Sequence, residues 1–152
     1  MEFTIHPYNG EKTVEQVMLV DGSIVDWLLT ARGLTGPAAR IAAHIREQLL
    51  PRLDAKPIVW PCTGCGGQAR YLTAYRNNAT TLIPWCEECD PYSLGAVGGR
   101  LNKVATYKQA LAHARDSCGG GRGVKRAIAK AYAGAKGGPS RVTEIAAEVF
   151  FR

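Results

Sequence analysis

Apolar residues recur at three- and four-residue steps along much of this chain, and the pattern breaks at glycine and proline. From Thr106 to Ser117, Tyr107, Ala110, Leu111 and Ala114 share one face, which predicts a helix. The run Cys118–Gly123, "CGGGRG", stops it. A second helix is expected from about Val124 to Ala135, with Val124, Ile128, Ala131, Tyr132 and Ala135 inward and Lys125, Arg126, Ala129 and Lys130 largely on the other side. Gly137-Gly138-Pro139 ends that helix, and Ser140 or Thr143 can cap a last one containing Ile145, Ala146, Val149 and Phe150. Nearer the N-terminus, Asp21 or Ser23 caps a helix expected to turn Ile24, Trp27 and Leu28 toward the core. Pro37 opens another, with Ile41, Ile45 and Leu49 as its stripe. Trp27 is read as a core residue rather than a base-stacking platform.

The pattern changes in the middle of the chain. Arg70–Tyr75 and Thr80–Trp85 read as strands, with Arg76–Ala79 as their turn. Two cysteine pairs flank this hairpin, Cys62/Cys65 and Cys86/Cys89, separated by twenty residues. A two-residue gap lets both thiolates of a tight turn point at one ion about 2.3 Å away, and Gly64, Gly66 and Gly67 supply the backbone freedom such a knuckle needs. The hairpin returns the second knuckle to the first. Two disulfides would need an oxidising compartment. No apolar run approaches the ~20 residues of a membrane span, and Glu2 and His6 do not suit a signal peptide, so a reducing, cytoplasmic setting is expected.

With its four ligands, the stretch from about Pro57 to Pro91 resembles the zinc-ribbon superfamily. The resemblance implies one Zn2+ held by Cys62, Cys65, Cys86 and Cys89. Four thiolates leave no open coordination position, so such an ion is structural rather than catalytic.

Charge is distributed unevenly. The net charge is +6, yet residues 100–152 carry eleven lysines and arginines against Asp116, Glu144 and Glu148, a balance of +8. The remaining residues are at −2, and four thiolates around a divalent ion make the ribbon a poor phosphate magnet. Such asymmetry points to phosphate or another acidic surface as partner. The candidate nucleic-acid contacts are Lys125, Arg126 and Lys130, one helical turn of cations, joined by Arg122 and, from the hairpin, Arg76 and Tyr75. Arg70, Tyr71 and Trp85 are further side chains able to pair with or stack on bases. The glycine run lacks a Gly-Lys-Ser/Thr ending and follows a helix, so it reads as a connector rather than a phosphate loop. Cys118, five residues after His113, reads as a single partly buried thiol, since no third catalytic partner is evident.

A second resemblance lies in "YNGEKTVEQVMLVDGSIVDWLL", Tyr8–Leu29, which is similar to the small module at the C-terminus of exodeoxyribonuclease X-type enzymes. Tyr8 and Gly10 stand in its hairpin, Val14 and Val17 on its first helix, and Asp21–Trp27 keep the spacing of its second element. His6-Pro7 replaces Gly-Lys before the tyrosine, Gly22 replaces a proline and Ile24 a tyrosine. The resemblance implies a nucleic-acid-binding accessory.

The expected organisation is α+β: a hairpin and helical module over residues 1–56, a zinc ribbon over 57–94 and a basic helical module over 95–152, the last two joined by the glycine-rich "YSLGAVGGR". The expected function is non-enzymatic binding of nucleic acid, DNA included, through the basic C-terminal helices. The alternative is a module or inhibitor, phage- or mobile-element-encoded, whose basic face engages an acidic protein. Paired carboxylates, a histidine metal site and a nucleophile–base–orienter set are not evident, so no enzymatic activity is expected.

Overall fold

In a computed structural model, residues 12–91 and 100–152 are described, together with the backbone of Thr4–Ile5. Strand β1 (Thr4–Ile5) pairs antiparallel with β2 (Lys12–Thr13). The expected hairpin positions Tyr8 and Gly10 lie outside the described residues. Thr13 then starts helix α1 (Val14–Val20): its hydroxyl accepts from the Gln16 amide, while its own amide donates to Gln16 Oε1 at 2.9 Å. Asp21 ends α1 and caps α2 (Gly22–Thr30), accepting from the amides of Ser23 and Ile24.

Helix α3 (Gly36–His44) has Pro37 in its first turn, as the sequence predicts. It runs into a π-helical turn at Ile45–Leu49 and then α4 (Leu50–Asp54). The wide turn has a local cause. Pro51 has no amide hydrogen and its ring crowds the carbonyl four residues before it, so the helix opens and the Leu50 N–H reaches back to Ile45 O. Ile41, Ile45 and Leu49 stay buried throughout.

Strands β3 (Tyr71–Tyr75) and β4 (Ile83–Trp85) form the expected hairpin. A third strand, β5 (Leu101–Lys103), adds to the other side of β3, giving the antiparallel order β4-β3-β5. Tyr71 faces Trp85, and Thr73 lies between Ile83 and Lys103. Helices α5 (Tyr107–Ser117), α6 (Arg122–Ala135) and α7 (Glu144–Phe151) follow. Thr106 caps α5, and Thr143 rather than Ser140 caps α7. The class is α+β, with helices predominating. Buried side chains from all three segments of the chain, from Val14 through Leu72 to Phe151, form one continuous hydrophobic cluster.

Two helix faces differ from the sequence reading. Trp27 is 55% exposed, and Ala129 is fully buried. The reason lies in how α2 meets α6. Gly22 presents no side chain, so the α6 backbone comes in close: a Cβ built there would stand 2.3 Å from Lys125 O and 3.0 Å from Ala129 Cβ. This contact turns Asp21, Gly22, Val25 and Asp26 inward and rotates Trp27 outward. On α7 the buried residues are Ala147 and Phe151, and Ile145 and Val149 are exposed.

Two tyrosines lock the core. Tyr107 Oη donates to Met18 O at 2.8 Å, and Tyr132 Oη donates to Asp54 Oδ1 at 2.7 Å, the same oxygen that receives the Tyr107 amide. Their rings meet edge to face, 5.7 Å apart. Burial, and then the charges of Asp21 and Asp26, push the Tyr107 phenol above its ordinary value of 10. Below pH 10 the phenol is protonated in both folded and unfolded chains. Above it only the unfolded chain ionises, so the stabilising preference drains away as pH rises. Stability is therefore expected to fall above pH 10 by about 1.4 kcal/mol per pH unit for this residue. Chemical denaturation at stepped pH checks this, and Tyr107→Phe should flatten the alkaline limb.

Candidate metal centre

The first knuckle is a tight turn closed by its backbone. The Cys62 amide donates to Gly67 O and the Gly66 amide to Cys62 O, both at 2.8 Å. Gly66 sits at φ +75°, a conformation few side chains tolerate. Gly64 faces the second knuckle so closely that a Cβ there would lie 2.9 Å from Cys89 Sγ. The β3–β4 pairing brings the knuckles together, helped by the Arg70 amide on Trp85 O and the Thr63 amide on Pro84 O. The sulfurs of Cys62, Cys65, Cys86 and Cys89 consequently lie within 4.8 Å of one another, with Cys65 and Cys86 at 3.6 Å. A tetrahedron of sulfurs about 2.3 Å from a central ion has edges of about 3.8 Å, so the cluster fits a metal ion.

Its electrostatics point the same way. Burial opposes ionisation of Cys62, but the amides of Cys86, Cys65 and Gly64 outweigh it and bring that thiol down to about 6. The neighbouring Cys86 sulfur, with burial, pushes Cys89 up to about 12. One thiolate is welcome in this site. Further ones need a cation among them.

The expected nucleic-acid contacts do not share one surface role. Lys125 Nζ lies 2.8 Å from Asp26 Oδ2, and Arg126 donates to Asp21 Oδ2 at 3.0–3.1 Å. Asp26 also receives Arg115. The two carboxylates are only 2% and 4% exposed, so these cations neutralise buried charge beneath α2 rather than standing free on an outer face. Lys130 and Arg122 are exposed on α6, and Arg76 and Tyr75 are exposed at the end of β3. The glycine connector is a helix-to-helix joint: the Gly120 amide returns to Ala114 O, and Gly121 caps α6.

Cys118 has more company than the sequence suggested. Its sulfur is 3.4 Å from His113 Nε2, and Asn102 Nδ2 is 2.9 Å from His113 Nδ1. With an amide donor on Nδ1, the ring hydrogen sits on Nε2, where Asn78 O accepts it at 2.9 Å. The imidazole therefore offers Cys118 no lone pair. Burial also pushes the Cys118 thiol up. His113 ties the β3–β4 turn and β5 to α5. Asn102 was missed because its position depends on a strand with no pattern of its own.

Comparisons of the chain with protein-family models, curated proteins and solved structures yield no match.

Proposed function

We propose that this is a non-enzymatic nucleic-acid-binding protein, built around one structural Zn2+ on Cys62, Cys65, Cys86 and Cys89. Zinc is the reading for the ion because four thiolates in tetrahedral spacing suit its coordination, and because such a shell leaves no position for a reacting water. The zinc serves as a staple that fixes β3 and β4 and the side chains they carry.

One observation carries the nucleic-acid reading. Ion pairs occupy Arg115, Lys125, Arg126 and Arg152, and Lys136 is buried, but Arg100, Lys103, Lys108, Arg122, Lys130 and Arg141 are all exposed and none has a carboxylate partner among the described residues. Solvated cations that no neighbouring acid neutralises are what a phosphate backbone engages. The resemblance of the N-terminal stretch to nucleic-acid-binding accessories agrees with this reading.

The test is the salt dependence of oligonucleotide affinity, measured by fluorescence anisotropy on the zinc-loaded protein. Each phosphate contact should contribute a log–log slope of about −0.9 on duplex and about −0.7 on single strands. Replacing Lys108, Arg122 and Lys130 with Gln should flatten the slope without altering the melting temperature. Replacing Lys125 and Arg126 should lower the melting temperature instead, because it strands two buried carboxylates. Failure of DNA and RNA, single- and double-stranded, to bind at low salt would overturn the proposal. Recovery of a stable protein complex from cells would then favour an acidic protein partner.

A further inference from the structure

The three-stranded sheet has two unlike faces. One packs inward: Leu72 and Ala74 are buried, and Asn102 reaches His113 and Ser117 on α5. Strand alternation puts Tyr71, Thr73 and Tyr75 on the other face, and two contacts confirm who joins them. Trp85 Nε1 donates to Thr73 Oγ1 at 2.8 Å, and Lys103 Nζ stands 4.8 Å from the centre of the Tyr71 ring. A solvent-side sheet face is ordinarily polar. This one carries three aromatic rings instead: Tyr75 is 51% exposed, while Tyr71 and Trp85 are half-buried and cover Thr73.

Cations lie on and beside it. Lys103 stands on this face, and Arg70, Arg76 and Arg100 flank the ends of β3 and β5, all exposed, and no described residue forms an ion pair with any of them. Where β3 begins, a cavity of about 180 Å³ is lined by Arg70, Tyr71, Lys103 and Lys136 together with apolar Ile58, Leu72 and Val104. Lys136 donates to two main-chain carbonyls, Asp54 O and Lys56 O, rather than to a carboxylate. One exposed and two half-buried rings with cations at their borders fit a polymer that alternates flat bases with phosphates. The rings are accessible only to bases that are not already paired.

We propose that the outer face of the β4-β3-β5 sheet binds an unpaired nucleic-acid strand. Bases stack on Tyr71, Tyr75 and Trp85; Arg70, Arg76, Arg100 and Lys103 follow the backbone, and the cavity beside Tyr71 receives a phosphate. The inference rests on the nucleic-acid reading and deepens it, moving the specific contact from the C-terminal helices to the sheet.

The experiment titrates zinc-loaded protein with mixed-sequence 12-mers, as single-stranded DNA, single-stranded RNA and duplex DNA, alongside Tyr75→Ala, Lys103→Gln and the double variant. Both side chains are exposed, and melting temperature and zinc content verify that the variants remain folded. Loss of one stacked base should weaken single-strand binding on the order of tenfold, with duplex affinity changed much less. Photocrosslinking of a 5-iodouracil strand should label the peptides bearing Tyr71, Tyr75 or Trp85. Variants that bind single strands as tightly as the parent, or crosslinks confined to α6, would overturn the platform while leaving nucleic-acid binding intact. Absence of binding to every 12-mer would overturn both readings.

Discussion

Cys86→Ser is expected to yield a protein that binds no stoichiometric metal and has lost the structure of the β3–β4 hairpin. Zinc on four thiolates contributes on the order of 10 kcal/mol to the folding of such a site, comparable with the ~5–15 kcal/mol net stability of a whole domain. The loss should spread. Leu72 and Ala74 belong to the same hydrophobic cluster as the helices, and β5 pairs with β3. Gly64→Ala should act in the same direction, since its methyl would be forced against Cys89 Sγ. Elemental analysis of anaerobically purified protein, with amide dispersion in a heteronuclear NMR spectrum, reads both effects. A Cys86→Ser protein that retained one metal per chain and melted like the parent would refute the assignment.

The second large effect is expected at Gly22. The methyl of Gly22→Ala would meet the Lys125 carbonyl oxygen, Leu111 Cδ2 and Ala129 Cβ, all at 3.0 Å or less. Two of these contacts are with α6 itself, so relief requires α2 and α6 to separate. Overpacking of this kind costs roughly 1–3 kcal/mol. Separation also pulls Lys125 and Arg126 from Asp26 and Asp21, and breaking a buried ion pair costs about 3–5 kcal/mol. The two costs together come to roughly 4–8 kcal/mol, so a destabilisation of about 4 kcal/mol or more is expected in urea denaturation. A change below about 1 kcal/mol would mean that the close crossing is not a constraint.

The cysteine pairs were legible because ligand spacing is a local property: two residues between thiols and a hairpin between pairs suffice to define the cluster. The inward faces of α5 and much of α6 were legible for the same reason, since Tyr107, Leu111, Ile128 and Tyr132 repeat at helical steps. What escaped was decided by distant partners. Nothing local marked Asp21 and Asp26 for burial, and only the ion pairs with Arg126, Lys125 and Arg115 make that burial tolerable. That burial sets the rotation of α2 and brings Trp27 to the surface. The same pairs remove Lys125 and Arg126 from the free cations, which a count of charges along the chain had no means to foresee. Strand β5 escaped because three residues, Leu101-Asn102-Lys103, have no periodicity until β3 offers them an edge. The mixed face of the sheet follows from that pairing, because Lys103 reaches Tyr71 only across strands.

The central place of β3 bears on how separate molecules behave toward one another. Both sides of its backbone are satisfied, so unpaired main-chain groups are confined to β4 and β5, each three residues long. Pro84 removes a donor from β4, and the Thr63 amide already occupies its carbonyl. Lys103 closes β5 with a charge. Short margins bearing a proline and a lysine are the devices by which natural sheets refuse a strand from a neighbouring copy. This sheet can therefore leave Tyr75 exposed and Tyr71 and Trp85 half-exposed without its backbone seeding intermolecular β-growth, and self-association through it would have to proceed ring to ring rather than by strand addition.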